Sequence, residues 1–457
     1  MLGDFILADK NSKTPMYRQI YLSIRRAIEN GSLKKDTKLP SIRKLSAQLG
    51  ISKTTVTGAY DQLCVEGYIR NKPQSGYYVA AQFENAPKAA DKTENTESRN
   101  RFFAYDFSGK SIDDKIIDLA EWKKCVKDVV NRNYLLTSYG DAQGEETLRT
   151  ALQKYALGTR SVNAQAHSIV VGAGTQAILY LLCSVLGCGK TVAVERASFV
   201  QSEYIFQSFN YRIAYFDCDE HGVTIESLEQ IKPDIVLINP NFTGTAGACM
   251  PVTRRLEVIE WVKKNNALII EDDYNGELRY STHPIPCVQN YDTENTVYIG
   301  SFSKVLLPSV RISYTVLPDR LLRKYESVKR LMNQTASKTE QFALAKYIES
   351  RKIEAHLRRA RRVYLEKSKT LLENIESSFL GAHLTFNETS LYISFRLPYA
   401  VDRKRIDKTL AERSVRLMPN HKSDNEFALS FSGIAQEKIA DGVAILKEVI
   451  EANKTNI

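Results

Sequence analysis

The sequence predicts an α/β protein in which a small helical module precedes a large domain with a mostly parallel sheet. Beyond residue 102, short apolar runs alternate with helical patterns; the runs are SIVVG (168–172), TVAVE (191–195), DIVLINP (234–240), ALIIEDD (267–273) and TVYIG (296–300). Continuous apolar runs are typical of buried parallel strands, whose carboxyl ends form ligand sites. From about Pro318 the pattern turns helical and then mixed, which predicts a smaller C-terminal α+β lobe.

A polar stretch divides the chain. Residues 84–101, ENAPKAADKTENTESRNR, have no apolar period and are rich in Asn, Glu, Lys and Ala, which is typical of a linker. We therefore expect an N-terminal module over residues 1–80, a linker over 81–101 and a large domain over 102–457.

Composition narrows the class of protein and its partners. The 457 residues are 43% hydrophobic and 25% charged, without an 18-residue apolar run or a signal-peptide pattern at MLGDFILADKNSK, so we expect a cytoplasmic protein with no membrane partner. Seven scattered cysteines, none spaced C-x-x-C, and six histidines without a ligand cluster indicate reduced core thiols and no metal site. Residues 1–80 hold 13 Lys and Arg against 6 Asp and Glu, which indicates a polyanionic partner at that end.

The N-terminal module contains three helical patterns followed by a hairpin pattern. Ile20, Ile24 and Ile28 mark the first helix, Pro40-Ser41 begins a second that Gly50 ends, and Ser52 is an N-cap for a third over residues 53–66. A short turn, LGIS, joins the last two helices as in a helix-turn-helix, and GYIRNKPQSGYYV (67–79) alternates like a wing. The candidate DNA-binding residues are Arg43, Lys53, Thr54, Thr55 and Tyr60 on the helices and Ser75 and Gly76 on the wing.

The alternative is a small helical domain with a solvated basic face, but charge, capped turn and wing coincide here. The module resembles the GntR family of winged-helix DNA-binding domains in PMYRQI, GSL, LPSIRKLSAQLGISKTTVTGAYDQL, EGYI and SGYYV. This resemblance implies binding to double-stranded promoter DNA. The chain departs from the family at Pro73-Gln74, where a glycine or a charged residue commonly precedes Ser-Gly.

A single lysine marks the candidate site of the large domain. In GSFSKVLLPSVRISY (300–314), Lys304 is the only charged residue before Arg311. A lysine among apolar neighbours is costly to desolvate, and an imine with pyridoxal 5'-phosphate (PLP) would account for it. That cofactor also needs a carboxylate at its ring nitrogen, a phenol near its oxygen, phosphate donors and a stacked aromatic ring.

The sequence offers a residue for each of these roles. Asp272 and Tyr274 lie two apart at the end of ALIIEDDY, so both face one side while Asp273 faces the other. After SIVVG, Gly174, Thr175 and Gln176 begin a helix whose amides favour a phosphate, Arg311 adds a cation, and Phe199 is available to stack. Each feature has a structural alternative, such as a strand-end cap or a core phenylalanine.

These residues resemble fold-type I aminotransferases. The order of GntR-like module, linker and aminotransferase-like domain resembles the MocR subfamily of bacterial PLP-dependent transcription regulators. Matching stretches are YGDAQGEETLRTAL, EDDYNGELRY, SFSKVLLPSVRISY and HLRRARRVYLEKSKTL. The resemblance implies that Lys304 forms the Schiff base, Asp272 pairs with the pyridinium and Tyr274 bonds the ring oxygen. It also implies that Tyr139 reaches the phosphate of the partner subunit in a homodimer, and that the arginine-rich helix 356–362 is not a second DNA surface.

Two departures from the family bear on function. Thr245-Ala246-Gly247 replace the usual P-T-G, which leaves open whether Asn239 or Asn241 contacts the ring oxygen. In NEFALSFSG (425–433), Ala428 occupies the position of the arginine that binds an amino acid's carboxylate. Alanine cannot replace a bidentate guanidinium, and Lys422 or His421 would lack its planar fork.

The sequence therefore predicts a homodimeric regulator that binds promoter DNA and senses PLP itself through a Schiff base at Lys304, as in MocR members that control vitamin B6 synthesis. We expect the aminotransferase-like domain to sense rather than to catalyse, with a residual transaminase half-reaction left open. The alternatives are a regulator answering an amino acid or dipeptide through an external aldimine, and an active aminotransferase tethered to DNA.

Overall fold

The computed structural model describes residues 14–81, 102–196, 199–243, 249–279, 285–419 and 423–455. The chain divides into two compact units, one up to Arg101 and the other from Phe102 onward. Most of the expected linker, residues 82–101, lies outside the described residues.

The first unit contains three helices and a two-stranded hairpin among its described residues. They are α1 (Met16–Glu29), α2 (Ile42–Leu49), α3 (Lys53–Val65), β1 (Ile69–Lys72) and β2 (Gly76–Val79). Ser41 Oγ accepts from the Lys44 amide and Ser52 Oγ from the Thr55 amide, both at 3.2 Å, so both expected N-caps are formed. Gly50 ends α2 at φ +62°, a conformation that favours glycine.

A single apolar core holds these helices together. Ile20, Ile24, Leu45, Val56 and Leu63 are each at most 1% exposed. Burying one such side chain stabilises a fold by about 1.5–3 kcal/mol, so the three helices and the hairpin pack as one body.

The second unit combines a large sheet, flanking helices and a smaller lobe. Its strands are β3 (Tyr105–Asp106), β4 (Ile169–Gly172), β5 (Thr191–Glu195), β6 (Arg212–Phe216), β7 (Cys218–Asp219), β8 (Gly222–Val223), β9 (Ile235–Ile238), β10 (Leu268–Asp273), β11 (Thr296–Ser301), β12 (Ser313–Val316), β13 (His383–Thr385), β14 (Tyr392–Arg396), β15 (Val415–Arg416) and β16 (Glu426–Ser430). Its helices are α4 (Leu119–Val130), α5 (Asn133–Leu136), α6 (Glu146–Arg160), α7 (Thr175–Leu186), α8 (Val200–Ser208), α9 (Ile225–Ile231), α10 (Val252–Lys264), α11 (Phe302–Val305), α12 (Asp319–Val328), α13 (Lys338–Glu349), α14 (Lys352–Ser378), α15 (Arg403–Glu412) and α16 (Ile439–Glu451).

The large sheet has seven strands in the order β4-β12-β11-β10-β9-β5-β6. All neighbours pair in parallel except β12, which is antiparallel to both β11 and β4. The five expected apolar runs form β4, β5, β9, β10 and β11, so the predicted mostly parallel sheet is confirmed. Strands β6 and β12 were not predicted.

Strand β12 brings the segment after Lys304 back to the carboxyl edge of the sheet. Ser313 pairs with Ser301 on β11 and with Gly172 on β4. Because β12 runs against its neighbours, its first residue lies where theirs end. Lys304 and Arg311, on either side of the β11–β12 connection, therefore lie at the edge where a ligand is expected.

The small lobe contains the sheet β13-β14-β16 and the parallel pair β15-β3. The pair joins Val415 to Tyr105 and Arg416 to Asp106. The chain that follows the linker thus enters the second unit through the small lobe, which contains the expected mixture of helices and strands.

The described residues also bear on the cysteine, metal and membrane expectations. Cys125, Cys183 and Cys287 are buried and Cys64, Cys218 and Cys249 half-buried, whereas Cys188 is exposed, so the prediction of a core thiol is wrong at Cys188. Within the described ranges, His, Cys, Asp and Glu side chains form no group that could hold a metal ion. No helix described here combines the length and hydropathy needed to cross a membrane.

Candidate cofactor site and DNA-binding surface

Asp272 is a buried carboxylate with an unsatisfied oxygen. It lies on β10 with 8% exposure, and its Oδ1 has no hydrogen-bond partner among the described residues. Burial, with a smaller contribution from Asp273, raises the pKa of Asp272 to about 7. A buried acceptor without a donor is costly, and a protonated ring nitrogen would supply that donor. The residue therefore fits the pyridinium of PLP.

Asp273 faces the opposite side, as the strand alternation predicts. Its carboxylate accepts from Arg160 Nε at 2.6 Å, Asn241 Nδ2 at 2.6 Å and Tyr298 OH at 2.9 Å. These three donors satisfy it within the protein. Of the two neighbouring aspartates, Asp272 is thus the one available to a ligand.

Tyr274 follows β10 immediately and is half-buried. Its phenol pKa is raised, chiefly by burial, and also by its proximity to Tyr392, Asp272 and Glu195. A raised pKa keeps the phenol protonated, so it can donate to an oxygen at the sheet edge. Tyr392 on β14 brings the small lobe to the same place, a contact that the sequence reasoning did not identify.

The choice between Asn239 and Asn241 is narrowed by their partners. Asn241 is 2% exposed, and its side chain donates to Asp273 and accepts from Arg160 Nη2 at 3.3 Å. The Asn241 side chain therefore lies on the side of β10 that Asp273 faces, away from Asp272. Asn239 follows β9 at the carboxyl edge, and its Oδ1 accepts from the Asn241 amide at 3.0 Å, which leaves Asn239 as the candidate for the ring oxygen. Residues 244–248, which include Thr245-Ala246-Gly247, lie outside the described residues.

Lys304 lies on the short helix α11 directly after β11. Its Nζ donates to the Gly109 carbonyl at 2.6 Å, and burial lowers its pKa. A lowered pKa increases the fraction of neutral amine, which is the nucleophilic form. His356 stabilises the turn that carries Lys304. The imidazole Nε2 of this buried residue lies 2.6 Å from the Val305 carbonyl oxygen.

Arg311 and Gly174 form a tight polar contact near Lys304. The backbone of Arg311 has φ +50°, an uncommon value for a residue with a side chain, and its Nη1 lies 3.5 Å from Ser303 Oγ. A Cβ at Gly174 would lie only 2.6 Å from Arg311 Nη2. The backbone at Gly174 has φ +88°, which favours glycine where the guanidinium meets the start of α7. The cation and the helix amides converge on one place suited to a phosphate.

Four further candidates are placed with fewer contacts. Thr175 and Gln176 are the first two residues of α7. Phe199 is the N-cap of α8 and packs, partly buried, against the core on one face of the sheet. The Tyr139 side chain is fully exposed at 102%. These positions do not test stacking by Phe199 or contact of Tyr139 with a partner, and both stay predictions.

Ala428 lies on β16 opposite Ser394 of β14 and is 9% exposed. Ser430, two residues on, faces the same side of the strand, and a Cβ at Gly109 would lie 3.1 Å from Ser430 Oγ. Since Gly109 accepts from Lys304, this face of β16 borders the lysine. Whether position 428 lines the cofactor site stays a prediction; His421 and Lys422 lie outside the described residues.

The DNA-binding candidates of the first unit lie mainly on its surface. Arg43 on α2, Lys53 and Thr54 at the start of α3 and Ser75 in the hairpin are exposed, and Thr55 and Gly76 are half-buried. The Thr55 hydroxyl lies 2.7 Å from Ser52 Oγ, so it belongs partly to the helix cap.

Tyr60 corrects the prediction for this surface. Its side chain is 0% exposed, its hydroxyl donates to the Pro40 carbonyl at 2.9 Å, and its ring packs edge-on against Tyr77. The residue lies on the apolar face of α3 with Val56 and Leu63. Tyr60 thus holds α3 against the α2 start and the hairpin, and it is not available to DNA.

The hairpin has a basic cluster that the sequence reasoning missed. Lys72 Nζ lies 4.6 Å and Lys38 Nζ 5.7 Å from the ring centroid of Tyr78, and Tyr78 OH lies 2.7 Å from Ser75 Oγ. Two cations beside one aromatic ring suit a phosphate backbone. Because side chains alternate along β2, Tyr78 faces away from the side on which its neighbour Val79 is buried. This alternation could have identified Tyr78 from the sequence.

Comparison with known proteins agrees with this geometry. The family described as bacterial regulatory proteins, gntR family, matches residues 16–79, and aminotransferase class I and II matches residues 108–440. An archaeal alanine:glyoxylate aminotransferase superposes with a TM-score of 0.70 at 23% identity, over 77% of this chain and 91% of that one. The second unit therefore has the aminotransferase fold.

Full-length relatives combine the same two parts. The HTH-type transcriptional regulator YhdI of Bacillus subtilis is 33% identical over 453 residues, 96% of each chain. The probable rhizopine catabolism regulatory protein MocR of Rhizobium meliloti is 26% identical, over 98% of this chain and 96% of that protein. The pyridoxine biosynthesis transcriptional regulator PdxR of Corynebacterium glutamicum is 28% identical over 80% of each chain. The chain belongs to the MocR-type GntR transcriptional regulators, which join a helix-turn-helix module to an aminotransferase-like domain.

Proposed function

We propose that this regulator binds double-stranded promoter DNA as a homodimer and senses PLP by covalent attachment at Lys304. The observation that carries the proposal is the unsatisfied Oδ1 of buried Asp272, at the sheet edge that also holds Lys304. Such an oxygen is costly in the ligand-free protein, and the pyridinium of PLP would remove that cost.

The chain's own residues divide the work of binding. PLP supplies an aldehyde that condenses with an amine, a protonated ring nitrogen and a phosphate. Lys304 offers the amine, Asp272 accepts at the ring nitrogen, and Tyr274 with Asn239 lies at the edge that the ring oxygen would reach. Gly174, Thr175, Gln176 and Arg311 would hold the phosphate, with Ser303 beside the guanidinium.

The sensing role, as opposed to catalysis, rests on Ala428. A transaminase must hold its substrate carboxylate, and a methyl group offers no hydrogen bond for that purpose. The residues that we propose to hold the cofactor are nevertheless present. PdxR, a relative whose name refers to pyridoxine biosynthesis, makes PLP itself a reasonable effector for this chain.

The exposed apolar surface around Tyr139 supports the proposal of a homodimer. Tyr139 is fully exposed, and Tyr134 and Leu136 on α5 are 67% and 50% exposed. An apolar surface of this kind is typical of a protein interface. In the dimer, Tyr139 would extend into the phosphate site of the second copy.

The test is operator binding with and without PLP. A DNA fragment carrying the promoter next to the protein's own gene is titrated with full-length protein that has been stripped of PLP or loaded with it. We expect a change in affinity on loading, together with an adduct at Lys304 that borohydride fixes. Lys304→Ala should lose the adduct and the response while keeping its thermal unfolding transition; a retained adduct would refute the assignment.

A second candidate function is the response to an amine or amino acid that displaces Lys304 from PLP. Incubating the loaded protein with a panel of amino acids separates the cases. A spectral change without release of keto acid favours this candidate, whereas rapid turnover of an ordinary amino acid indicates an active aminotransferase.

A further inference from the structure

The amine of Lys304 connects two parts of the second unit. Its Nζ donates to the Gly109 carbonyl at 2.6 Å. Lys304 lies at the carboxyl edge of the seven-stranded sheet. Gly109 lies 195 residues earlier, in the segment that follows the linker.

Gly109 belongs structurally to the small lobe. The segment 105–113 is bonded to the lobe along its length, through backbone amides donating to carbonyls: Tyr105 to Ser414, Phe107 to Arg416, Ser430 to Phe107 and Asp113 to Ser432, at 2.7–3.1 Å. Asp113 also receives the buried amine of Lys367 at 2.5 Å. The hydrogen bond from Lys304 to the Gly109 carbonyl therefore joins the large sheet to the small lobe.

The backbone at Gly109 allows little substitution. Its φ is +69°, and a Cβ there would lie 3.1 Å from Ser430 Oγ. Positive φ is strained for most residues with a side chain, and the contact with Ser430 would be tight. The conformation at Gly109, which sets the direction of its carbonyl, therefore favours glycine.

The linker meets the second unit at this lobe. Residues 82–101 join the DNA-binding module to Phe102, three residues before β3, which pairs with β15 of the lobe. A displacement of the lobe therefore moves the attachment point of the DNA-binding module.

We propose that the hydrogen bond from Lys304 to Gly109 is a latch between sheet and lobe, and that covalent binding of PLP releases it. This inference rests on the proposed function. The neutral amine attacks the aldehyde carbon, a C=N bond forms, and the aldehyde oxygen leaves as water with both amine protons. The nitrogen has then lost both amine protons and is bonded to the aldehyde carbon, so we expect its hydrogen bond to Gly109 to be lost.

Because PLP binding requires release of the latch, PLP binds the two arrangements of the lobe with different affinity. A ligand can shift an equilibrium only through such a difference. Without PLP, the bond adds to other contacts between sheet and lobe, such as those from Asn275 Nδ2 to the Thr389 carbonyl at 2.9 Å and from Thr389 Oγ1 to the Asn241 carbonyl at 2.7 Å. With PLP, this one contribution is lost, the equilibrium between the two arrangements of the lobe shifts, and in a dimer the two DNA-binding modules change their spacing.

The test uses two full-length variants and hydrogen exchange. Lys304→Met removes the donor and cannot bond to PLP, whereas Lys304→Arg keeps a donor but cannot form the stable Schiff base. Without PLP, we expect Lys304→Met to exchange the Ser108 and Lys110 amides roughly tenfold faster than wild type, about the effect of one lost hydrogen bond. Its operator affinity should match PLP-loaded wild type. Lys304→Arg should resemble PLP-free wild type with or without PLP.

The outcomes separate the two proposals. Wild-type operator binding that responds to PLP, with PLP-free Lys304→Met identical to PLP-free wild type in both exchange and affinity, overturns the latch and keeps PLP sensing. Wild type that neither binds PLP covalently nor responds to it overturns PLP sensing. The wild-type exchange comparison with and without PLP needs no variant, so a poorly folded variant does not prevent the test.

Discussion

Arg160 and Asp273 form an ion pair in which both side chains are fully buried, with Nε 2.6 Å from Oδ2. The Arg160 guanidinium also reaches the Ile285 carbonyl at 3.0 Å and Asn241 Oδ1 at 3.3 Å. This pair fixes the end of β10 with Asp273 turned away from the cofactor face. Strand alternation then directs Asp272 toward it.

Removing the arginine should be strongly destabilising. Arg160→Ala leaves the Asp273 carboxylate buried without its cation, and breaking a buried pair in this way costs about 3–5 kcal/mol. The measurement is the free energy of unfolding in urea. The control is Arg413→Ala, because Arg413 pairs with Glu448 at the surface and an exposed pair contributes about 0–1 kcal/mol. Equal effects of the two variants would contradict the structural role of Arg160.

The unpaired Asp272 should make the PLP-free protein less stable as pH rises. Burial raises its folded pKa from 3.8 to about 7, so its contribution to stability is fully present below the unfolded value and is lost as pH rises through about 7. We expect the stability of wild type relative to Asp272→Asn to fall by about 2–3 kcal/mol between pH 5 and 8. A pH-independent difference would show that Asp272 titrates normally.

Lys53 and Tyr60 should separate DNA contact from folding. Lys53→Ala removes an exposed cation at the start of α3, so operator affinity should fall and its salt dependence weaken, without loss of stability. Tyr60→Phe removes the bond to Pro40 and should cost about 0.5–1.5 kcal/mol of stability with little change in affinity. The measurements are operator titrations at several salt concentrations and thermal unfolding; the reverse pattern would reinstate Tyr60 as a DNA contact.

Restoring a guanidinium at position 428 should make the PLP site responsive to amino acids. In Ala428→Arg, a cation would lie on the face of β16 that borders Lys304, where it can bind a carboxylate bidentately. We expect an amino acid panel to shift the visible spectrum of the loaded variant at concentrations at least tenfold lower than wild type requires. Ala428→Leu controls for bulk, and an identical response of both variants would count against the missing anchor.

Much of the architecture could be predicted because it depends on local patterns. Five strands could be predicted from apolar runs. The residue types of Ser41 and Ser52 indicated where two helices begin, and Gly50 indicated where one ends. The opposed directions of Asp272 and Asp273 followed from the period of a strand. Each of these features needs only neighbours within a few residues.

Other features depend on contacts between distant segments or on a signal that was overlooked. The bond between Lys304 and Gly109 spans 195 residues, and the small, polar sequence DFSGKS (106–111) gave no sign of it. Strand β12 was not predicted because SYTV is short and follows Lys304 closely. Its antiparallel direction is set by pairing with β11 and β4, which SYTV itself does not indicate. Tyr60 was predictable, since Val56, Ala59, Tyr60 and Leu63 follow the helical period.

Strand β12 has a consequence for how a phosphorylated ligand would be retained. Because β11, α11 and β12 are consecutive and β11 pairs with β12, Lys304 and Arg311 lie on one short connection that the sheet fixes at both ends. A ligand fixed at one of them experiences a high effective concentration of the second. Loss of the phosphate from such a ligand would therefore weaken attachment at Lys304 as well, although the aldehyde is unchanged.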